Sequence, residues 1–156
     1  NVNFNLVTAL LSGQVDAAID GYRNFELIQL GLEGKPGLAF FPEDHGVPRY
    51  DELVYVVAKG KDGDPRLPRF LAAVKEATDF ILAHPAEARD IFMKSHPDLN
   101  DALNREAFAA TLPYFAKDPA ALDVGRYDRF AGFLKESGLL DAIPPIDTYA
   151  VEVGAK

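Results

Sequence analysis

The sequence contains no cysteine among its 156 residues. This absence excludes disulfide bonds, thiolate metal ligands and cysteine nucleophiles at the same time. The chain also lacks an uninterrupted apolar stretch long enough to predict a membrane-spanning helix. Phosphate-binding loops, nucleophile elbows and dinucleotide-binding fingerprints are absent as well. No local motif therefore indicates a familiar class of catalytic site.

Basic residues are fewer than acidic ones: 16 Lys and Arg stand against 24 Asp and Glu, which gives a net charge of −8. This balance repels phosphate backbones and anionic headgroups, so it argues against nucleic acids and membrane surfaces as partners. A small anionic ligand is still compatible with the sequence, because the local field in a cleft can oppose the net charge. Hydrophobic residues make up 48% and charged residues 26%, as in a typical folded domain.

The three histidines form no recognisable metal-binding motif. His84 and His96 each precede a proline, and His45 follows Glu43 and Asp44 in a turn-rich segment. Neighbouring residues on an extended segment point alternately to opposite sides, so the side chains of Glu43, Asp44 and His45 rarely converge on one ion. We therefore predict no metal, no cofactor and no catalytic residue.

The first quarter of the chain alternates between helical and strand patterns. The predicted elements are a helix over 4–11, a strand over 15–19, a helix over 24–32 and a strand over 37–41. This order is typical of an α/β fold with a parallel sheet. Because two short strands make a marginal sheet, we expect further strands of the same fold to precede Asn1.

The rest of the sequence predicts one strong strand followed by helices. Residues 53–58 are β-rich and nearly all apolar, which predicts a strand buried on both faces. The segment 42–49 contains two prolines and a glycine and is predicted to be a hinge. The later predictions are helices over 66–82, 85–94 and 101–115, a helix capped by Asp123 and ended by Gly138-Leu139, and an extended tail over 143–153. Pro113 must kink or end the third of these helices.

Several runs of residues resemble one family of proteins. The runs 2–7 and 11–19 resemble the end of the second lobe of type II periplasmic binding proteins. Gly21-Tyr22-Arg23-Asn24-Phe25-Glu26 and the run 42–53 are more specific. They resemble the substrate-binding proteins of ABC importers that carry thiamine pyrimidine precursors, namely formylaminopyrimidine or hydroxymethylpyrimidine. The runs 111–116, 125–131 and 147–151 fit the same group.

The resemblance implies a two-lobe α/β protein that closes around its ligand by hinge motion. Residues 1–41 would end the second lobe, 42–49 would form the hinge, and 50–156 would complete the first lobe with C-terminal helices. The missing N-terminal part of the same protein would precede Asn1. The sequence from Asn1 onwards shows no signal peptide pattern. The resemblance further implies a periplasmic or lipid-anchored extracellular location and an ABC permease as partner.

The predicted ligand site is the turn that follows residue 19, since ligands bind at the carboxyl ends of strands in open α/β sheets. Gly21 lets the backbone approach a ligand, and Tyr22 can lay its ring on a flat heterocycle. The carboxylate of Glu26 can accept two hydrogen bonds from an aminopyrimidine edge. The predicted set of ligand-binding residues is Gly21, Tyr22, Arg23, Asn24, Glu26 and His45.

Other interpretations of these residues remain open. In a purely structural role, Tyr22 would pack, Arg23 would form a surface ion pair, Asn24 would cap a helix and Glu26 would be solvated. On the functional side, the alternatives are a taurine- or sulfonate-type small-anion binding protein, the pyrimidine synthase of thiamine biosynthesis on the same fold, and a helical partner-binding domain.

Overall fold

The computed structural model describes residues 2–153. Within this part, the α-helices are α1 (Leu6–Leu11), α2 (Glu26–Leu32), α3 (Arg66–Ala83), α4 (Pro85–Ser95), α5 (Ala102–Thr111) and α6 (Val124–Glu136). Short 3-10 turns occur at Pro42–His45, Pro97–Leu99, Leu112–Tyr114 and Ile146–Thr148. None of the described helices is both long enough and apolar enough to cross a membrane.

The chain divides into two compact units. Unit 1 contains the described residues up to Ala39 together with Thr78–Phe115. Unit 2 contains Phe40–Ala77 and the described residues from Ala116 onwards. The predicted lobes and hinge, with boundaries at residues 41 and 50, remain predictions.

Unit 1 is a small helical cluster. Its helix α2 packs against α1 and α5, and α5 also packs against α4. The buried residues of this unit are Val7, Ala9, Leu30, Thr78, Ala88, Met93 and Ala107. Most of them are small, which lets neighbouring helices approach closely, and Met93 is the bulkiest hydrophobic residue of helix α4 that is buried here.

Two helices begin at an aspartate whose side chain accepts a hydrogen bond from the first turn. A carboxylate oxygen of Asp101 accepts from the backbone N–H of Asn104 at 2.7 Å, at the start of α5. Asp123 accepts in the same way from Arg126 at 3.0 Å, at the start of α6. Both contacts satisfy a backbone donor that has no partner within the helix, and the second confirms the predicted cap of α6.

The C-terminal end of α6 is a Schellman motif, as predicted. Gly138 lies in the left-handed region at φ 72°. Its N–H donates to Lys135 O at 3.0 Å, and the N–H of Leu139 donates to Leu134 O at 2.8 Å. Glycine suits this position because a Cβ would be strained at that φ.

The remaining helices follow the periodicity of the sequence closely. Helices α3 and α4 match the predicted spans 66–82 and 85–94 within one residue. Helix α5 ends at Thr111, and the next residues form a 3-10 turn that contains Pro113, so the prediction that this proline ends the helix is confirmed. Helices α1 and α2 each begin two residues later than predicted.

The predicted strands 15–19, 37–41 and 53–58 do not form within residues 2–153. A strand exists only when a neighbouring segment accepts and donates its ladder hydrogen bonds, and no described segment does so. The 53–58 run was predicted to be buried, yet Leu53 is 85% exposed and Val56 is 83% exposed. The α/β prediction is therefore wrong for the described residues, which are helices joined by irregular segments.

Two connecting segments also take a defined shape. The predicted hinge opens with the turn Pro42–His45, which Gly46 ends at φ 92°. The tail 143–153, predicted to be extended, contains the turn Ile146–Thr148, where the N–H of Thr148 donates to Pro145 O at 3.0 Å. The prediction of an extended tail is therefore wrong at this turn, because a local hydrogen bond closes it.

Candidate functional site

The predicted ligand site lies in unit 1, in the turn that leads into α2. Asp20 adopts a left-handed conformation at φ 65°, and the chain bends there. The carbonyl oxygen of Tyr22 accepts hydrogen bonds from the N–H groups of Phe25 and Glu26 at 3.1 and 3.0 Å. The turn is thus closed by its own backbone, and Gly21 and Tyr22 project at its exposed edge.

The carboxylate of Glu26 folds back over this turn. Its Oε2 atom accepts a hydrogen bond from the N–H of Tyr22 at 2.7 Å. This contact fixes the orientation of the carboxylate, much as a capping box does at a helix start. Because an ionised carboxylate has about four lone-pair positions, Glu26 keeps further capacity to accept hydrogen bonds from a ligand.

Asn24 connects the turn to helix α5. Its Nδ2 donates to Thr111 Oγ1 at 2.8 Å, and the Thr111 hydroxyl donates to Ala107 O at 2.7 Å. The N-cap position of α2 is Phe25, so Asn24 does not cap the helix. Its amide nitrogen instead holds the turn in place.

A small cavity of about 100 Å³ lies beside Glu26. Phe25, Glu26 and Gln29 line one side, and residues of the segment 4–8 line the other. The volume is below the 300 Å³ or so at which pockets for small molecules begin. Tyr22 does not line this cavity, and its side chain is 46% exposed.

The structure brings five of the six predicted residues together. Gly21, Tyr22, Arg23, Asn24 and Glu26 belong to one turn in unit 1, with Arg23 half-buried.

His45 belongs to unit 2, where it ends the turn Pro42–His45 and is exposed. Its ring centroid lies 5.9 Å from that of Phe40. The prediction that His45 faces the ligand remains a prediction.

Sequence reasoning missed a larger cavity of about 280 Å³ in unit 2. Its lining comes from residues 50–54, from α6 and from residues 140–149. The runs 42–53, 125–131 and 147–151, which carry the family resemblance, all contain residues that line this cavity. The sequence does not show that these three runs lie close together in space.

Within residues 2–153, no group of three or more His, Cys, Asp or Glu side chains is arranged to hold a metal ion. The turn before α2 offers an oriented carboxylate, exposed backbone and an aromatic ring next to a concavity. Such groups recognise a polar, planar molecule by hydrogen bonds and stacking. Because the cavity is small and Tyr22 does not line it, the ligand site at this turn stays a prediction.

The sequence matches a known protein family. The family described as "NMT1/THI5 like" matches residues 1–88, which is more than half of the chain. The chain therefore belongs to the NMT1/THI5-like family. Membership of this family implies a periplasmic-binding-protein-like fold, and the predicted resemblance to thiamine-pyrimidine-precursor binding proteins is confirmed.

Three curated relatives have names that mention thiamine biosynthesis or a pyrimidine. A thiamine biosynthesis protein of Haemophilus influenzae is 46% identical over 154 residues, which cover 98% of this chain and 49% of the relative. A formylaminopyrimidine-binding protein of Halalkalibacterium halodurans is 31% identical over 108 residues, 68% of this chain and 33% of the relative.

The third relative is a 4-amino-5-hydroxymethyl-2-methylpyrimidine phosphate synthase of Aspergillus parasiticus. It is 26% identical over 88% of this chain and 43% of its own length. The chain spans about half or less of each of these three relatives.

Proposed function

We propose that this chain is part of an extracytoplasmic solute-binding protein that delivers a thiamine pyrimidine precursor to an ABC permease. The observation that carries the proposal is the 31% identity to a formylaminopyrimidine-binding protein. That relative supports a pyrimidine-like ligand for this chain. A periplasmic or lipid-anchored location and the permease partner are parts of the same proposal.

In this proposal, Glu26 recognises the aminopyrimidine edge. Its carboxylate accepts hydrogen bonds from the ring amine while the N–H of Tyr22 holds it in position at 2.7 Å. A carboxylate that is already oriented loses less conformational entropy when the ligand binds. The ring of Tyr22 stacks on the pyrimidine, and Asn24 keeps the turn attached to α5.

The cavity beside Glu26 holds only about 100 Å³. In our proposal the opposite wall comes from other parts of the complete protein, since the relatives are about twice as long as this chain or more. The experiment below therefore uses the complete polypeptide that contains this chain.

Isothermal titration calorimetry with formylaminopyrimidine, hydroxymethylpyrimidine and taurine tests the proposal. We expect both pyrimidines to bind and taurine not to bind. Glu26→Gln should weaken pyrimidine binding about tenfold or more, because hydrogen bonds to a charged group are worth about 1.5–3 kcal/mol. Glu33→Gln, at the other end of α2, is the matched control and should leave the affinity unchanged.

Unchanged affinity of Glu26→Gln for the pyrimidines would remove this carboxylate from the site. Binding of taurine or an alkanesulfonate in place of the pyrimidines would replace the proposed ligand with a small anion.

The pyrimidine phosphate synthase is a second candidate, because one relative carries that name. Dependence on iron would distinguish such an enzyme from a transport protein. Among the described residues, no group of three or more His, Cys, Asp or Glu side chains is arranged to hold a metal ion such as iron. Formation of a pyrimidine phosphate by the complete polypeptide, only when iron is added, would favour the synthase over the binding protein.

A further inference from the structure

The larger cavity, in unit 2, gathers residues that the proposed function leaves unused. Tyr50 and Asp51 precede the 53–58 run, Arg126 and Tyr127 begin α6, and Tyr149 lies near the end of the described chain. The cavity volume of about 280 Å³ approaches the lower limit of pockets that hold small molecules.

Aromatic rings form the walls of this cavity. Tyr50 stacks on Phe130, with ring centroids 4.5 Å apart and ring planes inclined by 15°. The rings of Tyr127 and Tyr149 lie 6.1 Å apart and are inclined by 41°. Ala131, which is buried, adds an apolar patch to the lining. Because aromatic rings prefer offset-stacked or edge-to-face contacts, these walls favour a planar ring as guest.

The charged groups on the cavity lining offset one another. The guanidinium of Arg126 donates a hydrogen bond to the carboxylate of Asp51, and its Nε lies 3.5 Å from a carboxylate oxygen of Asp123. Two carboxylates thus face one guanidinium, which leaves no surplus positive charge to attract an anion. Of these three groups only Arg126 and Asp51 line the cavity, and as an ion pair they present no net charge to it, so an uncharged guest is favoured.

One polar group of the lining remains available for a guest. Tyr127 makes no hydrogen bond to another residue within 2–153 through its hydroxyl. Burial raises the pKa of this hydroxyl, and the nearby carboxylate of Asp51 raises it further. Tyr127 therefore stays protonated at neutral pH and can donate one hydrogen bond.

We infer that unit 2 contains a further binding site, which takes an uncharged, planar aromatic or heteroaromatic molecule with one hydrogen-bond acceptor. The ring of the guest lies among Tyr50, Phe130 and Tyr149, and its acceptor meets the Tyr127 hydroxyl. This site shares no residue with the turn before α2. A test of this site therefore does not depend on the outcome for the proposed function.

Three matched probes test the chemistry of the site: benzamide, cyclohexanecarboxamide and benzoate. Chemical-shift perturbation of the ¹⁵N-labelled complete polypeptide that contains this chain measures their binding. We expect benzamide to shift the amides of Tyr50, Arg126 and Tyr127. The non-planar cyclohexanecarboxamide should bind about tenfold more weakly, because it cannot stack. The anionic benzoate should also bind more weakly, since Asp51 and Asp123 already neutralise Arg126.

Two variants of the 53–58 run test the location. Val54 lines the cavity and is half-exposed, so Val54→Trp should block the cavity without disturbing a core and should abolish the benzamide shifts. Val56→Trp is the matched control, because Val56 belongs to the same run, is more exposed and does not line the cavity. Far-UV circular dichroism should show equal helix content in both variants.

A third variant tests the hydrogen bond. Tyr127→Phe should weaken benzamide about fivefold and leave benzene binding unchanged, since one neutral hydrogen bond is worth about 1 kcal/mol. The inference is overturned if benzamide and benzoate bind equally, or if Val54→Trp leaves the benzamide shifts in place. It is also overturned if Val54→Trp converts a dimer into a monomer in sedimentation, because the cavity would then be covered by a second copy.

Discussion

The two units of this chain use their apolar residues in different ways. Unit 1 buries seven of its described residues, whereas among the described residues of unit 2 only Ala131 is buried. The cavity volumes follow the opposite order. The cavity beside Glu26 in unit 1 has about 100 Å³, and the cavity in unit 2 has about 280 Å³. Small residues let the helices of unit 1 close on one another, while the aromatic rings of unit 2 surround open space.

This difference indicates where stability and where binding capacity reside. Well-packed interiors lose free energy when a side chain is shortened, because a cavity remains. A unit whose rings already line a cavity has less packing to lose and more surface to offer to a guest. The predictions below test this contrast, from the largest expected effect to the smallest.

Met93→Ala should produce the largest loss of stability. Met93 is 3% exposed in α4 of unit 1, and shortening a buried methionine to alanine costs about 2–5 kcal/mol of unfolding free energy. Urea unfolding followed by circular dichroism measures the change. Ile91→Ala in the same helix is the control, because Ile91 is 52% exposed and should cost about 1 kcal/mol or less. Equal losses would contradict the packing of unit 1.

The two aspartate caps should contribute about equally to the free energy of unfolding, although they lie in different units. Asp101→Ala in unit 1 and Asp123→Ala in unit 2 should each cost about 1 kcal/mol, because each removes an acceptor for a first-turn N–H. Hydrogen exchange of the amides of Asn104 and Arg126 locates the loss at the respective helix start. If only one variant loses protection, the structure assigns the other cap wrongly.

Asn24→Ala should cost about 1 kcal/mol of unfolding free energy, since it removes one side-chain hydrogen bond, to Thr111. Thr111→Val should cost a similar amount, and the double variant should cost less than the sum because both residues share one interaction. Urea unfolding of the three variants measures this coupling. Strict additivity would show that the turn before α2 is not attached to α5.

The smallest effect concerns the half-buried carboxylate of Asp64 in unit 2. Hydrogen bonds from the Arg66 side chain and backbone lower the pKa of Asp64 from 3.8 to about 2. The lowered pKa means that the contribution to stability is present above pH 3.8 and is lost as the pH falls towards 2. NMR titration of the Asp64 carboxyl should show this value, and Arg66→Ala should return it towards 3.8. A titration that is the same in both proteins would refute the pair.

Helix ends could be predicted from the sequence because their causes are local. Asp123 accepts from an N–H three residues later, and Gly138 supplies a left-handed residue that needs no distant partner. Pro113 ends its helix for an equally local reason, since it has no N–H to donate.

The strands could not be predicted as reliably, because the pairing of one strand with another is not a local property. Residues 53–58 have the composition of a strand, but composition does not supply a neighbour within 2–153. The same limit applies to the candidate sites. The contact of Tyr22 with Glu26 spans four residues and follows from one turn, whereas Asn24 meets Thr111 across 87 residues and Arg126 meets Asp51 across 75. Only the fold reveals the long-range pairs.

The exposed run 53–58 has a practical consequence for the behaviour of this chain in concentrated solution. Its six consecutive residues include no charge, proline or glycine, and four of them are β-branched or aromatic, which is typical of segments that stack into cross-β assemblies. We therefore expect slow fibril nucleation to begin at this segment. A single lysine in place of Val56 would act as a gatekeeper against such growth.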